Sequence, residues 1–322
     1  MITRREVLLG SMAAGATALL PKSLLARASQ PSTAVNFAVP AGGCDCHTHI
    51  FGDPRQFAFW PGRTYTPETA SVTEMRALHR ALHTERVVIV NPSIYGTDNS
   101  CTLDAVKQLG PGARAIAVID EKTPDTRLDE MAHSGVRGIR LNFETFGQAN
   151  PDATRKAFVS AVERVAPRKW HIQIYTHLAV IAGLHKEIME APVVTVFDHF
   201  GGAQAALGTA QPGFDEMIDL LRAGKAYVKV SGAYRISSKP PDYPDAAPLA
   251  KAFIAAKAER VIWGSDWPHP SGGPLPGHTA TDLAPLLQID DGRLLDQLPV
   301  WAPDEAVRKK ILVDNPARLY GF

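Results

Sequence analysis

The sequence has few cysteines, almost no net charge and only one long apolar run, and each shortage excludes a class of protein. Three cysteines in 322 residues cannot build the disulfide framework of a small secreted domain. The 34 basic and 33 acidic residues leave a formal net charge of +1, which gives no electrostatic reason to expect a nucleic acid partner. The apolar run Val7–Leu20 is too short and too rich in glycine and alanine for a membrane span, so no stable membrane anchor is expected.

The first 28 residues have the layout of an export signal. Arg4 and Arg5 precede the apolar run, and Ala26-Arg27-Ala28 follows it as a small-x-small cleavage site. This order is typical of a twin-arginine signal peptide. Because that route exports folded proteins, we expect the twin-arginine machinery to be a partner of the precursor. The mature protein is then expected in the periplasm, with residues 29–42 as a linker before the folded body.

Residues 43–322 alternate between strand-like and helix-like patterns, in a length that suits one (β/α)₈ barrel of about 250 residues plus insertions. Short buried strands that are each followed by a helix favour parallel pairing through right-handed crossovers. The predicted strands are Gly42–Ile50, Arg86–Asn91, Arg114–Ile119, Val136–Asn142, Trp170–Thr176, Val193–Asp198, Ala226–Ser231 and Arg260–Gly264. The predicted helices are Val72–His83, Asn99–Leu109, Thr126–Ser134, Ala153–Val165, Leu178–Glu190, Gly213–Arg222, Asp245–Ala258 and Pro303–Tyr320. The fold class is therefore predicted as α/β, a single TIM barrel.

The most informative motif is the first strand, which reads GGCDCHTHI. Side chains alternate along a strand, so Asp45, His47 and His49 are predicted to share one face. Cys44 and Cys46 are then predicted to face the helices as packing residues. Two imidazoles two residues apart converge on one point, where they can bind a metal or hold an oxygen that develops negative charge.

Polar residues end almost every predicted strand, and the longest loops also follow the strands. In a (β/α)₈ barrel these positions surround the active site, whereas a purely structural barrel has no need of them. The polar strand-end residues are His47, His49, Ser93, Arg140, Asn142, Tyr175, His177, Asp198, His199, Ser231, Arg235, Ser265 and Asp266.

Several motifs occur in an order that resembles the amidohydrolase superfamily. They are DCHTHIFG, NPSIYGTDN, VRGIRLNF, WHIQIYTH, FDHFGG, VKVSGAYR, VIWGSDWPHP and NPARLYGF. The similarity is closer to the branch of lactone-hydrolysing barrels related to 2-pyrone-4,6-dicarboxylate lactonase. It implies a (β/α)₈ barrel, hydrolysis of a carboxylated lactone such as a pyrone dicarboxylate, muconolactone or aldonolactone, and arginines that bind carboxylates. Some relatives hold a divalent ion between the histidines and the last aspartate, whereas others work without one.

Lactone hydrolysis requires a base for water and an electrophile for the carbonyl group. Asp266, directly after the last strand, is the predicted base. His47, His49 and His199 would surround the carbonyl oxygen, either as direct donors or, together with Asp266, as ligands of one zinc or manganese ion. His177 is a further possible ligand. No lysine stands at the end of the fourth strand to bridge two ions, so a binuclear centre is not expected.

The predicted substrate is a small anionic lactone. Arg140 and Arg235 present guanidinium groups that suit a carboxylate, with Arg137 as an alternative on the same strand as Arg140. Hydroxyl donors from Ser93, Tyr95 and Tyr175 are predicted to complete the binding site.

Two other functions remain open at the level of sequence. A metal-dependent decarboxylase of the aminocarboxymuconate type would use a similar barrel, one ion and an aspartate. A non-catalytic periplasmic solute-binding barrel would use the same pocket without turnover.

Overall fold

The structure, a computed structural model, describes residues 28–147, 150–273 and 276–322. Its main feature is an eight-stranded sheet in which every strand is parallel to the next one in the chain. The strands are β1 Cys44–Thr48, β2 Arg86–Val90, β3 Ala113–Ala117, β4 Val136–Asn142, β5 His171–Tyr175, β6 Thr195–Phe197, β7 Ala226–Ser231 and β8 Val261–Gly264. Two short strands, Thr66–Pro67 and Leu283–Ala284, pair with each other outside this sheet.

The sheet closes into a barrel between β1 and the residues that follow β8. Thr48 forms a parallel bridge with Trp267. The amide of Asp266 donates to the carbonyl of His47 at 2.8 Å, and the amide of His49 donates to the carbonyl of Trp267 at 2.8 Å. The predicted single (β/α)₈ barrel is therefore confirmed, and its closure places Asp266 beside the two histidines of β1.

Helices follow the strands around the barrel. They are α1 Val72–Leu82, α2 Ser100–Leu109, α3 Asp125–His133, α4 Pro151–Val165, α5 Leu178–Gly183, α6 His185–Glu190, α7 Phe214–Arg222, α8 Ala233–Ile236, α9 Ala247–Lys257, α10 Asp291–Asp296, α11 Leu298–Trp301, α12 Glu305–Lys309 and α13 Asn315–Tyr320, with a π-helical turn at Lys310–Asp314. The helix predicted over Leu178–Glu190 is wrong as one element, because it is divided at Leu184 into α5 and α6.

The sequence of α1 shows how the outer helices are fixed. Ser71 and Glu74 form a capping box that satisfies backbone donors at the start of the helix. Met75, Leu78 and Leu82, at helical spacing, are fully buried against the barrel. The other outer helices also bury one apolar face, and these faces form the main core around the strands.

A β-bulge in β1 overturns the predicted facing of its side chains. The register with β2 shifts between Asp45 and Thr48, so one extra residue of β1 is accommodated there. Cys44 and Cys46, expected to face the helices, instead belong to the apolar cluster inside the barrel. Asp45 does not share the face of the histidines, and it accepts the amide of Ser265 at 2.9 Å. The bulge resets the alternation, so that His47 still points into the barrel.

Residues of the predicted linker lie against the barrel. The carbonyl of Ser29 accepts the indole N–H of Trp267 at 2.9 Å. The hydroxyls of Ser32 and Thr33 donate to Asp290 at 2.7 and 2.6 Å. The predicted twin-arginine motif and apolar run lie outside the described residues. No helix in the described part of the chain combines the length and apolar character that crossing a membrane requires.

Candidate active site

Four residues that were predicted to act together meet at the carboxyl end of the barrel. His47 and His49 come from β1, His199 lies just beyond β6 and Asp266 just beyond β8. The Nε2 atoms of His47 and His49 are 3.3 Å apart. Oδ1 of Asp266 lies 3.6, 3.9 and 3.7 Å from Nε2 of His47, His49 and His199 in that order. All four side chains are buried, so the strands assemble three imidazoles and a carboxylate away from bulk water.

Two of the imidazoles are oriented through their Nδ1 atoms. Nδ1 of His49 lies 2.8 Å from the carbonyl oxygen of Val90. Because a carbonyl only accepts hydrogen bonds, this nitrogen carries the proton and Nε2 presents a lone pair to the site. Nδ1 of His199 lies 3.0 Å from the hydroxyl of Ser231, and this contact holds the ring with its Nε2 towards the site.

His47 differs because its Nδ1 contacts both a cation and a carboxylate. Nζ of Lys229 and Oδ1 of Asp198 each lie 3.1 Å from this nitrogen. If Lys229 donates to Nδ1, the His47 ring carries its proton on Nε2 and offers an N–H group to the site. If Nδ1 donates to Asp198, Nε2 offers a lone pair instead. Lys229 therefore supports the tautomer that direct donation requires, and Asp198 supports the tautomer that metal binding requires.

The two oxygens of Asp266 have different surroundings. Oδ2 accepts the hydroxyl of Tyr234 at 2.6 Å and Nε of Arg235 at 2.5 Å. Oδ1 has no hydrogen-bond partner among the described residues. Burial alone would raise the pKa of Asp266, but the charge of Arg235 outweighs it and holds the pKa well below its usual range. Asp266 is therefore ionised, with one oxygen available to accept a proton.

The three imidazoles are neutral near neutral pH. Burial, followed by the charge of Arg140, lowers the pKa of His49 to about 3. Burial lowers the pKa of His199 to about 4 in spite of the neighbouring carboxylate of Asp266. Burial, with Lys229 as the next cause, also lowers the pKa of His47 well below its usual value. Neutral imidazole is the form that binds metals and exchanges single protons.

A network of buried charges lies behind the histidines. Oδ2 of Asp198 accepts Nε of Arg140 and Nε2 of Gln173, both at 3.0 Å. Nζ of Lys229 donates to Oε1 of Gln173 at 2.7 Å and lies 3.3 Å from Oδ1 of Asp198. Burial alone would raise the pKa of Asp198, but Lys229 outweighs it, and the pKa falls well below its usual value. The network thereby connects Arg140 with His47.

Two adjoining cavities lead to these residues. The inner cavity, of about 30 Å³, includes Tyr65, Ser93, Arg140, Asn142 and Thr145 in its lining, together with His49 and Asp266. The outer cavity, of about 500 Å³, includes Glu144, His177, Gln204 and Gln211. Both cavities are lined by Tyr175, His199 and Arg235. The outer space is large enough for a substituted lactone ring, and it opens onto the catalytic groups.

Four of the five predicted substrate-binding residues line the inner cavity. They are Ser93, Arg140, Tyr175 and Arg235. The guanidinium of Arg140 stacks over the ring of Tyr175, with 5.2 Å from Cζ to the ring centroid. Arg235 has an additional contact that its sequence position does not reveal, because its Nε is held by Asp266. Its charge therefore acts on the predicted base as well as on the cavity.

Tyr95 and His177 lie away from the four convergent residues. The hydroxyl of Tyr95 is turned to the backbone, where it accepts the amide of Gly52 at 2.9 Å, and it does not line either cavity. Nδ1 of His177 lies 2.6 Å from Oε2 of Glu144, and the side chain is half exposed at the outer cavity. His177 therefore lines the outer cavity and does not join the four convergent residues.

Four residues of the site were not predicted from the sequence: Tyr65, Gln173, Lys229 and Tyr234. For Gln173 and Lys229 a signal exists, because each lies between two apolar residues within a short strand and is fully buried. Tyr65 lies in a long loop and gives no local signal. Tyr234 lies beside Arg235 in the short helix α8, and only its contact with Asp266 reveals its role.

The convergent residues fit a single divalent ion. Ligand atoms bound tetrahedrally to zinc at about 2.1 Å lie about 3.4 Å apart, close to the separations among the Nε2 atoms and Oδ1. One atom from each of His47, His49 and Asp266 lies within 4.8 Å of the others, and the same holds for His47, Asp198 and His199. The unpartnered Oδ1 of Asp266 is the strongest sign of a position for a cation or a polar ligand.

A (β/α)₈ barrel with buried histidines and an aspartate at its strand ends defines a class of barrel hydrolases. The sequence profile of the Amidohydrolase family matches residues 44–322. The chain therefore belongs to the amidohydrolase family.

Several related proteins bear the names of lactone hydrolases. The chain is 35% identical over 288 residues to a 4-sulfomuconolactone hydrolase from Hydrogenophaga intermedia, covering 89% of this chain and 91% of that one. It is 34% identical over 294 residues to a 2-pyrone-4,6-dicarboxylate hydrolase from Comamonas testosteroni, covering 88% and 92%. A probable 2-pyrone-4,6-dicarboxylic acid hydrolase from Acinetobacter baumannii, with citric acid bound, superposes with a TM-score of 0.72 at 25% identity, covering 87% and 100%. The resemblance found in the sequence is thus confirmed.

Proposed function

We propose that this protein hydrolyses a carboxylated lactone, with Asp266 as the base that activates water. The observation that carries the proposal is the free Oδ1 of Asp266, which is ionised, buried and faced by three neutral imidazoles. A water molecule that donates to this oxygen gives up its proton as it attacks the lactone carbonyl, and the same carboxyl returns that proton to the ring oxygen as the C–O bond of the lactone breaks. The relatives act on lactones that carry anionic groups, which supports the same reaction class here.

Arg140 and Arg235 are proposed to bind the carboxylate of the substrate. Both line the inner cavity, beside the hydroxyls of Ser93 and Tyr65. The citric acid bound to the relative from Acinetobacter baumannii shows that a protein of this fold accepts a polycarboxylate. A substrate carboxylate held there would place the adjoining ring ester near Asp266.

One zinc or manganese ion is the proposed cofactor, with His47, His49, His199 and Asp266 as its ligands. When bound, such an ion would polarise the ester carbonyl as a Lewis acid. The chain itself provides for the alternative without an ion, because Lys229 can donate to Nδ1 of His47 and leave Nε2–H to point at the carbonyl oxygen. Elemental analysis of fully active protein distinguishes the two. About one equivalent of metal, lost together with activity on chelation, supports the ion, and full activity without metal contradicts it.

Asp266→Asn tests the proposed base. The amide keeps the size of the carboxylate but cannot accept the proton, so kcat should fall by about 10²–10⁴-fold. Substrate binding should persist, which calorimetry with the variant would measure. Asp242→Asn is a suitable control, because Asp242 only pairs with Arg293 at the surface.

The outcomes of this experiment separate the candidate functions. Near-normal turnover by Asp266→Asn would refute the base. Release of carbon dioxide without ring opening would instead identify a decarboxylase. Ligand binding by the wild-type protein without turnover of any lactone in a panel of dicarboxylate and aldonic lactones would identify a solute-binding barrel.

We further propose that the twin-arginine machinery exports the protein to the periplasm. The support is the order of Arg4-Arg5, apolar run and small-residue cleavage site in the first 28 residues. Changing Arg4 and Arg5 together to lysine should leave full-length precursor in the cytoplasm. Mature protein in the periplasm of that variant would refute this assignment.

A further inference from the structure

A second buried histidine–aspartate pair lies next to the catalytic group. Nε2 of His269 is 3.0 Å from Oδ2 of Asp291, and both side chains are fully buried. His269 follows β8 in the same loop as Asp266, whereas Asp291 is the first residue of α10. A buried polar pair of this kind contributes little net stability, because desolvation offsets the attraction between its members. We therefore expect the pair to have a functional role.

The pair connects to Asp266 through one hydroxyl group. Nδ1 of His269 lies 3.4 Å from the hydroxyl oxygen of Tyr234, and that hydroxyl lies 2.6 Å from Oδ2 of Asp266. The two rings meet edge to face, with centroids 5.4 Å apart. The described residues thus contain one continuous line of contacts, Asp291–His269–Tyr234–Asp266.

The direction of the hydrogen bonds follows from the donors available. The single proton of the Tyr234 hydroxyl goes to the nearer acceptor, Oδ2 of Asp266, so the phenol oxygen is left to accept from Nδ1 of His269. Nε2 of the His269 ring faces Asp291, which holds the ring with Nδ1 towards Tyr234. His269 therefore donates to Tyr234, and Tyr234 donates to Asp266.

We propose that His269 and Asp291 are positioning residues that act through Tyr234 on the catalytic aspartate. By holding the phenol proton on Oδ2 of Asp266, they leave Oδ1 as the oxygen that takes the proton from water. The inference rests on the proposed function, because it assigns these residues to the same base. They do not touch the substrate, since neither residue lines the inner or the outer cavity.

The backbone of the loop is consistent with this arrangement. Asp266 and His269 both have left-handed backbone conformations, with φ of 68° and 62°. Such angles are unfavourable for residues other than glycine, and asparagine tolerates them best among the rest. This gives a useful variant, because His269→Asn suits the backbone and keeps an N–H donor close to the position of Nδ1 while it loses the contact with Asp291.

The experiment measures kcat and KM on a lactone substrate for Tyr234→Phe, His269→Leu, His269→Asn and Asp291→Asn. His269→Leu and Asp291→Asn should lower kcat by about tenfold or more with KM within about twofold, because substrate contacts are intact. His269→Asn should retain more kcat than His269→Leu, since it keeps the donor to Tyr234. The matched control is Asp219→Asn, which breaks an exposed histidine–aspartate pair with His185 at 2.8 Å and should leave kcat unchanged.

A double variant separates positioning from a general structural role. If His269 acts through Tyr234, adding His269→Leu to Tyr234→Phe should cause little further loss of kcat. Multiplied losses in the double variant would overturn the proposal, as would His269→Leu and Asp291→Asn with the kcat of the Asp219→Asn control. Asp291→Asn and Tyr234→Phe keep the shape of the native side chains, so adding Asp291→Asn to Tyr234→Phe gives the same test if His269→Leu does not fold.

Failure of this inference is distinguishable from failure of the proposed function. If Asp266→Asn is inactive while the His269 and Asp291 variants turn over normally, the positioning role is wrong and the base stands. If Asp266→Asn is active, the proposed function is wrong, and the positioning role is wrong with it.

Discussion

The interior of the barrel contains two clusters of very different chemistry. One cluster is apolar and includes Cys44, Cys46, Val88, Val90, Ile116, Val196, Tyr227, Ile262 and Tyr320. The other is polar, and its fully buried members include His47, Gln173, Asp198, Lys229 and Asp266. Both clusters include residues of β1 and β7, and both are shielded from solvent. The difference therefore reflects what each cluster does and not how deeply it is buried.

The apolar cluster needs only to fill space, whereas the polar cluster must satisfy every charge it contains. Lys229, Asp198 and Arg140 compensate one another through short contacts, and Gln173 bridges them. Burying these charges is costly, and the compensation returns only part of that cost. A barrel selected for stability alone would favour apolar residues here. We infer that the polar cluster is retained because it orients His47 and Arg140.

Lys229→Met tests the difference between the two clusters most directly, because it removes the central cation of the polar cluster. The variant leaves the buried carboxylate of Asp198 with Arg140 as its remaining cation. We expect the free energy of unfolding to fall by about 3 kcal/mol, the lower end for a broken buried pair, because Arg140 still compensates part of the charge. Urea denaturation followed by circular dichroism would measure it.

Lys310→Met is the matched control for Lys229→Met. Lys310 pairs with Glu259 at 2.6 Å, but both side chains are about 40% exposed, at 41% and 43%. Loss of an exposed pair should cost less than about 1 kcal/mol. Equal losses in the free energy of unfolding for Lys229→Met and Lys310→Met would show that the buried charges do not depend on pairing with Lys229.

A second prediction concerns the substrate side of the polar cluster. Arg140→Met removes a charge-assisted contact to the substrate carboxylate, so kcat/KM on a carboxylated lactone should fall by about two orders of magnitude, or 2–4 kcal/mol. The methyl ester of the same lactone should be affected much less, because it presents no charge to Arg140. Steady-state kinetics on the acid and the ester would measure both effects.

Arg137→Met provides the control on the same strand. Nη1 of Arg137 donates to the carbonyls of Ala132 and Val136, and the residue lines neither the inner nor the outer cavity. Its replacement should leave kcat/KM within about twofold of the wild type. If Arg140→Met slowed the acid and the ester equally, Arg140 would be supporting the site through Asp198 and not binding the carboxylate.

Much of the fold was predictable from the sequence, because the barrel depends on local patterns in a fixed order. The alternation of short apolar runs with amphipathic helices identified all eight strands, with every end within two residues of the observed one. The facing of Cys44, Asp45 and Cys46 was wrong, because a bulge of one residue depends on pairing with β2 and leaves no mark in β1 itself.

The candidate site was predictable as a set of residues but not as a set of contacts. His47, His49, His199 and Asp266 were found from strand ends and motifs, and the structure brings them together. The pairing of Arg235 with Asp266 joins α8 to the loop after β8, 31 residues further along the chain, and no local pattern encodes it. The turn of Tyr95 towards Gly52 has the same cause, since both depend on how loops pack.

The smallest expected effect belongs to the apolar cluster, through Ile262→Val. Ile262 is fully buried in that cluster and contributes no polar atom to the site. Removing one methylene should lower the free energy of unfolding by about 1 kcal/mol. The value of kcat should be unchanged, because no group that orients His47, Arg140 or Asp266 is altered. Denaturation and steady-state kinetics on the same preparation would measure both. A loss of kcat at constant structure would show that packing in the apolar cluster controls the catalytic groups, and the functional separation of the two clusters would then be wrong.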